Sequence, residues 1–212
     1  MNNSTFISLA ACAALAACSS GGDGSDPIDF DSGSVSSIGL LEMEDLPGPE
    51  ARAQLSAGFR SALSDFETLN ETGVRTTDMR TSGFGEFSGT FAAGVSSDDG
   101  TTTMNGDSYI RTDFAANSVS GRLDNFSAQD ESGDAVGVTG VLDLSGAITG
   151  SDLAGTIGGT LDVEGTPAVV TSTMDGVFAG SGATGVVGAF DGSVDYDGER
   201  LGMGGVFSAT RD

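Results

Sequence analysis

The sequence predicts a mainly β protein: a soluble antiparallel barrel of about eight strands, preceded by one amphipathic α-helix and a disordered, lipidated N-terminus. From Thr81 onward, apolar residues alternate with polar ones at a period of two, which is the pattern of half-buried strands. Turns rich in Gly, Asn and Asp separate these segments, as hairpins require. We therefore predict strands at residues 84–95, 107–115, 118–126, 136–146, 150–163, 168–180, 183–196 and 199–211.

Glycine alternates with large apolar residues on one face of several predicted strands. Small and large inward residues in alternation suit the narrow interior of a small barrel. The opposite faces carry Asp, Thr and Ser, and Trp is absent, so the sequence lacks the apolar band and aromatic girdles of a membrane-spanning barrel. The predicted inward residues are Val119, Gly121, Leu123; Leu153, Gly155, Ile157, Gly159, Leu161, Val163; Val186, Gly188, Phe190, Gly192, Val194; and Leu201, Met203, Gly205, Phe207, Ala209.

A helical period precedes the barrel, and residues 49–80 are assigned to one amphipathic helix and a linker. Gly58 lies inside the helix and should cost about 1 kcal/mol relative to Ala. We expect the helix to pack on or beside the barrel and to cover an edge or an open end. A helix that binds a partner or lies on a membrane is the alternative. The apolar residues at helical spacing are Leu55, Phe59, Leu63 and Phe66.

The N-terminus has the features of an export signal. Residues 1–17 contain an apolar core too short for a permanent membrane span, although no Lys or Arg precedes it. The run Leu15-Ala16-Ala17-Cys18 resembles a bacterial lipobox, which implies that Cys18 is diacylated and becomes the mature N-terminus. Ser19 after the cysteine favours the outer membrane. An ordinary secretory signal that is cut nearby is the alternative.

Residues 18–48 are predicted to be a lipidated, flexible tether, because Gly, Ser and Asp dominate its first half. Its Asp-Gly pattern at residues 23–26 lacks the spacing of an EF-hand calcium loop. Cys12 would leave with the signal and Cys18 would carry lipid, so no thiol would remain for a disulfide.

Charge and composition exclude several functions. The net charge is −23 and all eight basic residues are Arg, so the chain would repel nucleic acid. His is absent, which excludes Ser-His-Asp and Cys-His nucleophiles and His-ligated zinc. A pair of carboxylates of the glycosidase type, or a Ser or Tyr acting alone, remains possible for catalysis. The turn Asp195-Tyr196-Asp197-Gly198-Glu199 could hold calcium weakly, but an acidic surface turn is the preferred interpretation.

The lipobox, the tether and the Gly-x-Phe strands of residues 81–212 together resemble the surface lipoproteins related to transferrin-binding protein B and factor H-binding protein. The runs Gly106–Phe114 and Ser118–Gly121 look like paired strands of that family, and Gly188–Phe190 with Gly205–Arg211 look like its C-terminal closure. The resemblance implies an eight-stranded barrel on a lipid-anchored protein of a Gram-negative outer membrane. Two-lobed relatives pair each barrel with a handle domain, whereas only a helix and a short lead-in precede the barrel here.

The resemblance implies a non-enzymatic, monomeric protein that is displayed at the cell surface and held to the membrane by its N-terminal lipid alone. Its barrel loops would capture a soluble extracellular protein or an iron/haem-related ligand, without a cofactor. Because His is absent, a haem would need Tyr109, Tyr196 or a Met as its axial ligand, or would bind with no ligating residue at all. The alternatives are a structural envelope lipoprotein or adhesin with the barrel as scaffold, and, less favoured, a carboxylate enzyme or a lipocalin-like carrier.

Overall fold

The computed structural model of the protein describes residues 49–97 and 100–212. The predictions for the signal segment 1–17, for the tether 18–48 and for lipidation at Cys18 lie outside the described residues. Two helices come first, α1 (Pro49–Gln54) and α2 (Ala57–Thr72). The strands are β1 (Phe84–Ser97), β2 (Gly100–Asp113), β3 (Ser118–Gln129), β4 (Ala135–Val136), β5 (Val138–Gly140), β6 (Leu142–Thr149), β7 (Asp152–Val163), β8 (Thr166–Ala179), β9 (Gly185–Tyr196) and β10 (Glu199–Arg211).

Eight long strands form a closed antiparallel barrel, which confirms the predicted fold class. Each of β1, β2, β3, β6, β7, β8, β9 and β10 pairs with the next in this order, and β10 pairs with β1. Closure leaves none of these eight strands with an unpaired edge. The strand predicted at 136–146 is present but interrupted: β4 pairs with β3, and β5 pairs with β7 before β6 joins both neighbours.

The barrel interior is filled by the alternating residues that the sequence placed there. Leu123, Ile157, Phe190 and Phe207 are fully buried in one cluster inside the wall. Glycine makes room for the rings: Gly188 lies opposite Phe207 and Phe190 lies opposite Gly205 in the β9–β10 register. A Cβ atom on Gly188 would come within 2.1 Å of the Phe207 ring, so only glycine fits beneath that ring.

A second apolar cluster lies on the outer face of the wall, between the barrel and α2. The helix buries Phe59, Leu63 and Phe66 against outward residues of β1, β8, β9 and β10. Each fully buried Phe or Leu contributes about 1.5–3 kcal/mol relative to exposure. The barrel side of this cluster consists of small and β-branched residues, which let the helix approach closely: Ala92, Val177, Ala179, Val187, Ala189 and Val206.

The position of α2 corrects part of the helix prediction. The helix packs on the barrel, as expected, but it covers the outer wall and not an edge or an open end. The predicted single helix is also broken, because the Ser56 hydroxyl caps α2 by accepting a hydrogen bond of 3.0 Å from the Phe59 N–H. Gly58 lies at the contact with β2, where a Cβ atom would approach the Asn105 side-chain nitrogen to 2.6 Å. Within residues 49–97 and 100–212, no helix is long and apolar enough to cross a membrane.

Candidate functional site

The two ends of the barrel differ, and the difference locates the candidate site. One end, the closed end, carries the first residues of β1, β7 and β9 and the last residues of β2, β8 and β10. The other end, the open end, carries the opposite termini of the same strands.

A plug segment, residues 74–80, seals the closed end. The Thr76 N–H donates to the Phe178 carbonyl (2.9 Å), and the Gly180 N–H donates to the Val74 carbonyl (2.8 Å), so the segment joins the end of β8. It then crosses towards β1, and Met79 packs against the inner core on the way. The β2–β3 connection buries Phe114 in the inner core beside it, and the β8–β9 connection buries Ala183 there.

Polar contacts fix the plug segment to the surrounding hairpins. The Asp78 carboxylate accepts a hydrogen bond from the Ser181 hydroxyl (2.7 Å) and another from the Gly182 N–H (2.9 Å). The Ser181 hydrogen bond, followed by the Gly182 N–H, lowers the pKa of Asp78 below its ordinary value, because both favour the ionised form. The Arg75 guanidinium pairs with Asp152 and donates to the Ser151 hydroxyl.

The open end has no such seal among the described residues. A cavity of about 250 Å³, here called the mouth, enters the barrel there between eight strand segments. Its lining is predominantly aliphatic, with Ser97, Thr102 and Glu199 as polar members and Tyr196 at one side. The apolar lining residues are Val95, Met104, Val136, Val138, Leu161, Val163, Ala168, Val170, Val194, Leu201 and Met203.

The hairpins around the mouth are short and acidic. Within residues 100–212, two connections at this end are the two-residue turns 164–165 and 197–198. The third, 130–141 between β3 and β6, begins with the turn 130–134 and contains the short strands β4 and β5. We call six exposed carboxylates on or next to these hairpins the rim. Arg200 is the only basic residue in the same three hairpins and the residues that flank them. The rim consists of Glu131, Asp134, Glu164, Asp195, Asp197 and Glu199.

The other residues singled out from the sequence lie apart from one another. Tyr196 is part of the mouth, whereas Tyr109 lies on the outer wall beneath the Arg122 guanidinium, 4.8 Å from the ring centre. The acidic turn 195–199 contributes to the rim. No group of three or more Asp, Glu, Cys or His residues in the described ranges is placed to hold a metal ion.

A second concavity of about 220 Å³ lies at the closed end, lined by Phe84, Arg111, Asp113, Ser118 and Ser120. The Arg111 guanidinium lies 4.7 Å from the centre of the Phe84 ring. The polar lining contrasts with the apolar mouth. Ligand pockets are mostly apolar with a few polar groups, so the mouth is the better candidate site.

Sequence reasoning identified the inward residues but not which end of the barrel is open or which residues line the mouth. Alternation shows which side chains point inward, and it is the same at both ends of a strand. The plug segment is held by two backbone hydrogen bonds to the end of β8 and by side-chain contacts with residues far along the chain, so no local residue pattern marks it. The sequence therefore carried no signal for which end would be sealed.

Comparisons with known proteins agree with this architecture. Residues 68–211 match the family model described as the C-lobe and N-lobe β-barrels of transferrin-binding protein B. No curated protein matches the chain. The match begins within α2 and ends with β10, so it spans the end of that helix, the plug segment and the whole barrel.

Solved structures of transferrin-binding protein B resemble the chain at low identity. A double mutant of the vaccine antigen from Haemophilus parasuis Hp5 is 21% identical, with a TM-score of 0.47 over 65% of this chain and 28% of that one. The isotype 1 protein from serogroup B Neisseria meningitidis is 19% identical, with a TM-score of 0.45 over 66% of this chain and 28% of that one. Intact Ap-TbpB, with its N and C lobes, is 18% identical, with a TM-score of 0.43 over 65% and 29%.

The chain thus spans less than a third of the length of these solved relatives. The family model, in contrast, matches more than half of the chain, including every strand of the barrel. The protein therefore belongs to the family of transferrin-binding protein B β-barrels.

Proposed function

We propose that this protein is a lipid-anchored binding protein of the bacterial outer membrane, displayed at the cell surface, that captures a soluble ligand and is not an enzyme. The observation that carries the proposal is the family match over residues 68–211, because the solved relatives are named for binding transferrin. The lipobox-like run that ends at Cys18 supports the anchor. The proposed ligand is an extracellular protein or an iron/haem-related compound, bound by a monomer.

The shape of the barrel favours the open end as the ligand surface. Its described connections are two-residue turns and the segment 130–141, which is itself paired with β3 and β7, so the ligand would meet the rim and the mouth and not long loops. The mouth, at about 250 Å³, is smaller than the roughly 300–1,000 Å³ of pockets that enclose drug-sized molecules. Within this proposal, a protein ligand that inserts one or two side chains is favoured over a haem enclosed in the barrel.

Short connections are also compatible with a structural envelope lipoprotein or adhesin in which the barrel is only a scaffold. The two proposals differ in the ligand and in the need for exposure to the medium. A scaffold could face the periplasm, whereas capture of an extracellular ligand requires display on the outer face.

Protease treatment of intact cells, followed by immunoblotting, tests the location. We expect the protein to be degraded while a periplasmic control protein survives. The matched variant Cys18→Ser should lose incorporation of a palmitate analogue and leave the membrane fraction. Survival of the wild-type protein until the outer membrane is broken would contradict surface display.

A further inference from the structure

The mouth and its rim form a site of two contrasting chemistries. The cavity is aliphatic, with lining residues such as Leu161, Val170 and Leu201. The rim around it is anionic, and Glu199 belongs to both. An apolar pocket surrounded by charge of one sign selects a ligand that has an apolar part and the opposite charge.

The negative charge is concentrated at this end and is not balanced there. The rim places Glu131, Glu164 and Glu199 on three different hairpins, and none of these side chains has a cationic partner among the described residues. Arg75, Arg80, Arg111 and Arg211 all lie at or near the closed end. The potential at the mouth is therefore negative, which attracts cations and repels anions.

The size of the mouth limits what enters it. An apolar cavity of about 150 Å³ accommodates a molecule the size of benzene, so the mouth at about 250 Å³ has room for one large aromatic or two aliphatic side chains. Protein interfaces concentrate their binding energy in such anchors, which fill a desolvated pocket and are surrounded by polar contacts. The mouth has the form of an anchor pocket and the rim that of its polar surround.

We propose that the open end binds a basic segment of a soluble protein partner, which inserts one or two large apolar side chains into the mouth and places Lys or Arg residues on the rim. This inference rests on the proposed function, because it names the chemistry of the captured ligand. The rim supplies orientation and a fast, salt-dependent association.

Two other occupants fit the charges poorly. The apolar stretch 38–46 of this chain includes Glu42, Glu44 and Asp45 and no basic residue, so the rim repels it. A second copy docked mouth to mouth would bring two acidic rims together.

A peptide-binding assay with purified protein tests the proposal independently of its location in the cell. The full chain carries Cys18→Ser, so that no lipid competes for the mouth. The probe is a fluorescein-labelled nonapeptide with a central Trp-Leu pair flanked by Arg residues. We expect saturable binding that weakens at least about tenfold when Trp-Leu becomes Ala-Ala or when the Arg residues become Glu. Raising the salt from about 0.05 M to 0.3 M should also weaken it.

Variants of the protein locate the binding. Ala168→Phe fills the mouth, and Leu201→Arg adds a positive charge at a half-buried position of the lining. Both variants, once circular dichroism shows that they are folded, should bind the peptide at least about tenfold more weakly. In the double variant Glu164→Gln with Glu199→Gln, the affinity for the peptide should depend less on the salt concentration. The matched control, Glu86→Gln with Asp175→Asn, removes the same charge from exposed positions away from the mouth and should bind like the wild type.

Three results would overturn the inference. They are no binding of the basic peptide, binding that neither Ala168→Phe nor Leu201→Arg changes, and equal binding of a peptide with the sequence of residues 38–46. Each leaves the protease result on surface display untouched, so failure of this inference is distinguishable from failure of the proposed function.

Discussion

The closed and open ends of the barrel are made from the same eight strands and continue the same alternation, yet they differ in packing and charge. At the closed end, Met79, Phe114 and Ala183 fill the interior and the plug segment is hydrogen-bonded to β8. At the open end, aliphatic side chains line a cavity beneath an acidic rim. Barrel closure satisfies the strand edges equally at both ends, so the difference comes from the segments added to the barrel and not from the sheet.

The largest expected difference between the ends concerns matched leucines on β7. Leu153 is fully packed near the closed end, whereas Leu161 lines the mouth. Leu153→Ala leaves a cavity in a dense core and should lower the free energy of unfolding by about 3 kcal/mol. Leu161 is also buried but borders the mouth, so Leu161→Ala enlarges an existing cavity and should cost less, about 2 kcal/mol. Urea unfolding measures both, and equal losses would show that the mouth is packed like the closed end.

Glycine substitutions sharpen the same comparison. In Gly188→Ala the new methyl group overlaps the Phe207 ring, so we expect a loss of about 1–3 kcal/mol from overpacking. Gly202→Ala, towards the open end, is the control because no atom lies within 4 Å of its added Cβ. It should be neutral or slightly stabilising. Thermal unfolding measures both variants, and equal shifts of their unfolding temperatures would contradict the packing argument.

The ion pair that holds the plug segment should have a smaller effect. The Arg75 and Asp152 side chains are 34% and 55% exposed, so water and salt screen the attraction. Arg75→Ala should reduce the free energy of unfolding by about 0.2–1 kcal/mol. Hydrogen exchange at the Thr76 amide should rise with it, because the plug segment is less firmly held. Arg200→Ala at the open end is the matched control and should leave exchange at Thr76 unchanged.

The smallest effect concerns the pH response of the plug segment. The folded-state pKa of Asp78 is lowered, so its stabilising hydrogen bonds are fully present above the ordinary pKa of an aspartate and are lost as the pH falls through the lowered value. Carboxyl NMR titration should show a midpoint below the ordinary one. Ser181→Ala should raise it towards that value, since the Ser181 hydroxyl is the main cause of the shift. An unchanged midpoint in this variant would contradict the assignment.

Much of the barrel could be predicted because its rules are local. The alternation of Leu153, Ile157 and Leu161 depends only on the two-residue repeat of a strand, and the structure buries all three. The boundaries of the last two strands also follow from their turns, since Asp197 and Gly198 both have positive φ. The family resemblance, drawn from Gly-x-Phe units on these strands, is confirmed by the match over residues 68–211.

The break between α1 and α2 could not be predicted from helical spacing alone. Leu55 continues the apolar stripe through the break, and a serine inside a helix is common enough to give no warning. Ser56 becomes a cap because its hydroxyl also donates to the Asn105 side chain of β2 at 3.2 Å. Gly58 is tolerated because the helix approaches the same residue closely. Both facts depend on a strand that lies far along the chain.

Several features depend only on neighbouring residues and on composition, so they can be obtained without coordinates. They are the number of strands, the inward faces, the amphipathic helix and the acidic surface. The placement of α2 on the outer wall, the sealing of one end by residues 74–80 and the open mouth with its rim are properties of distant segments brought together. They arise because the closed sheet has two equivalent ends and two faces. Only the three-dimensional path of the chain before β1 determines which end is sealed and where the helix packs.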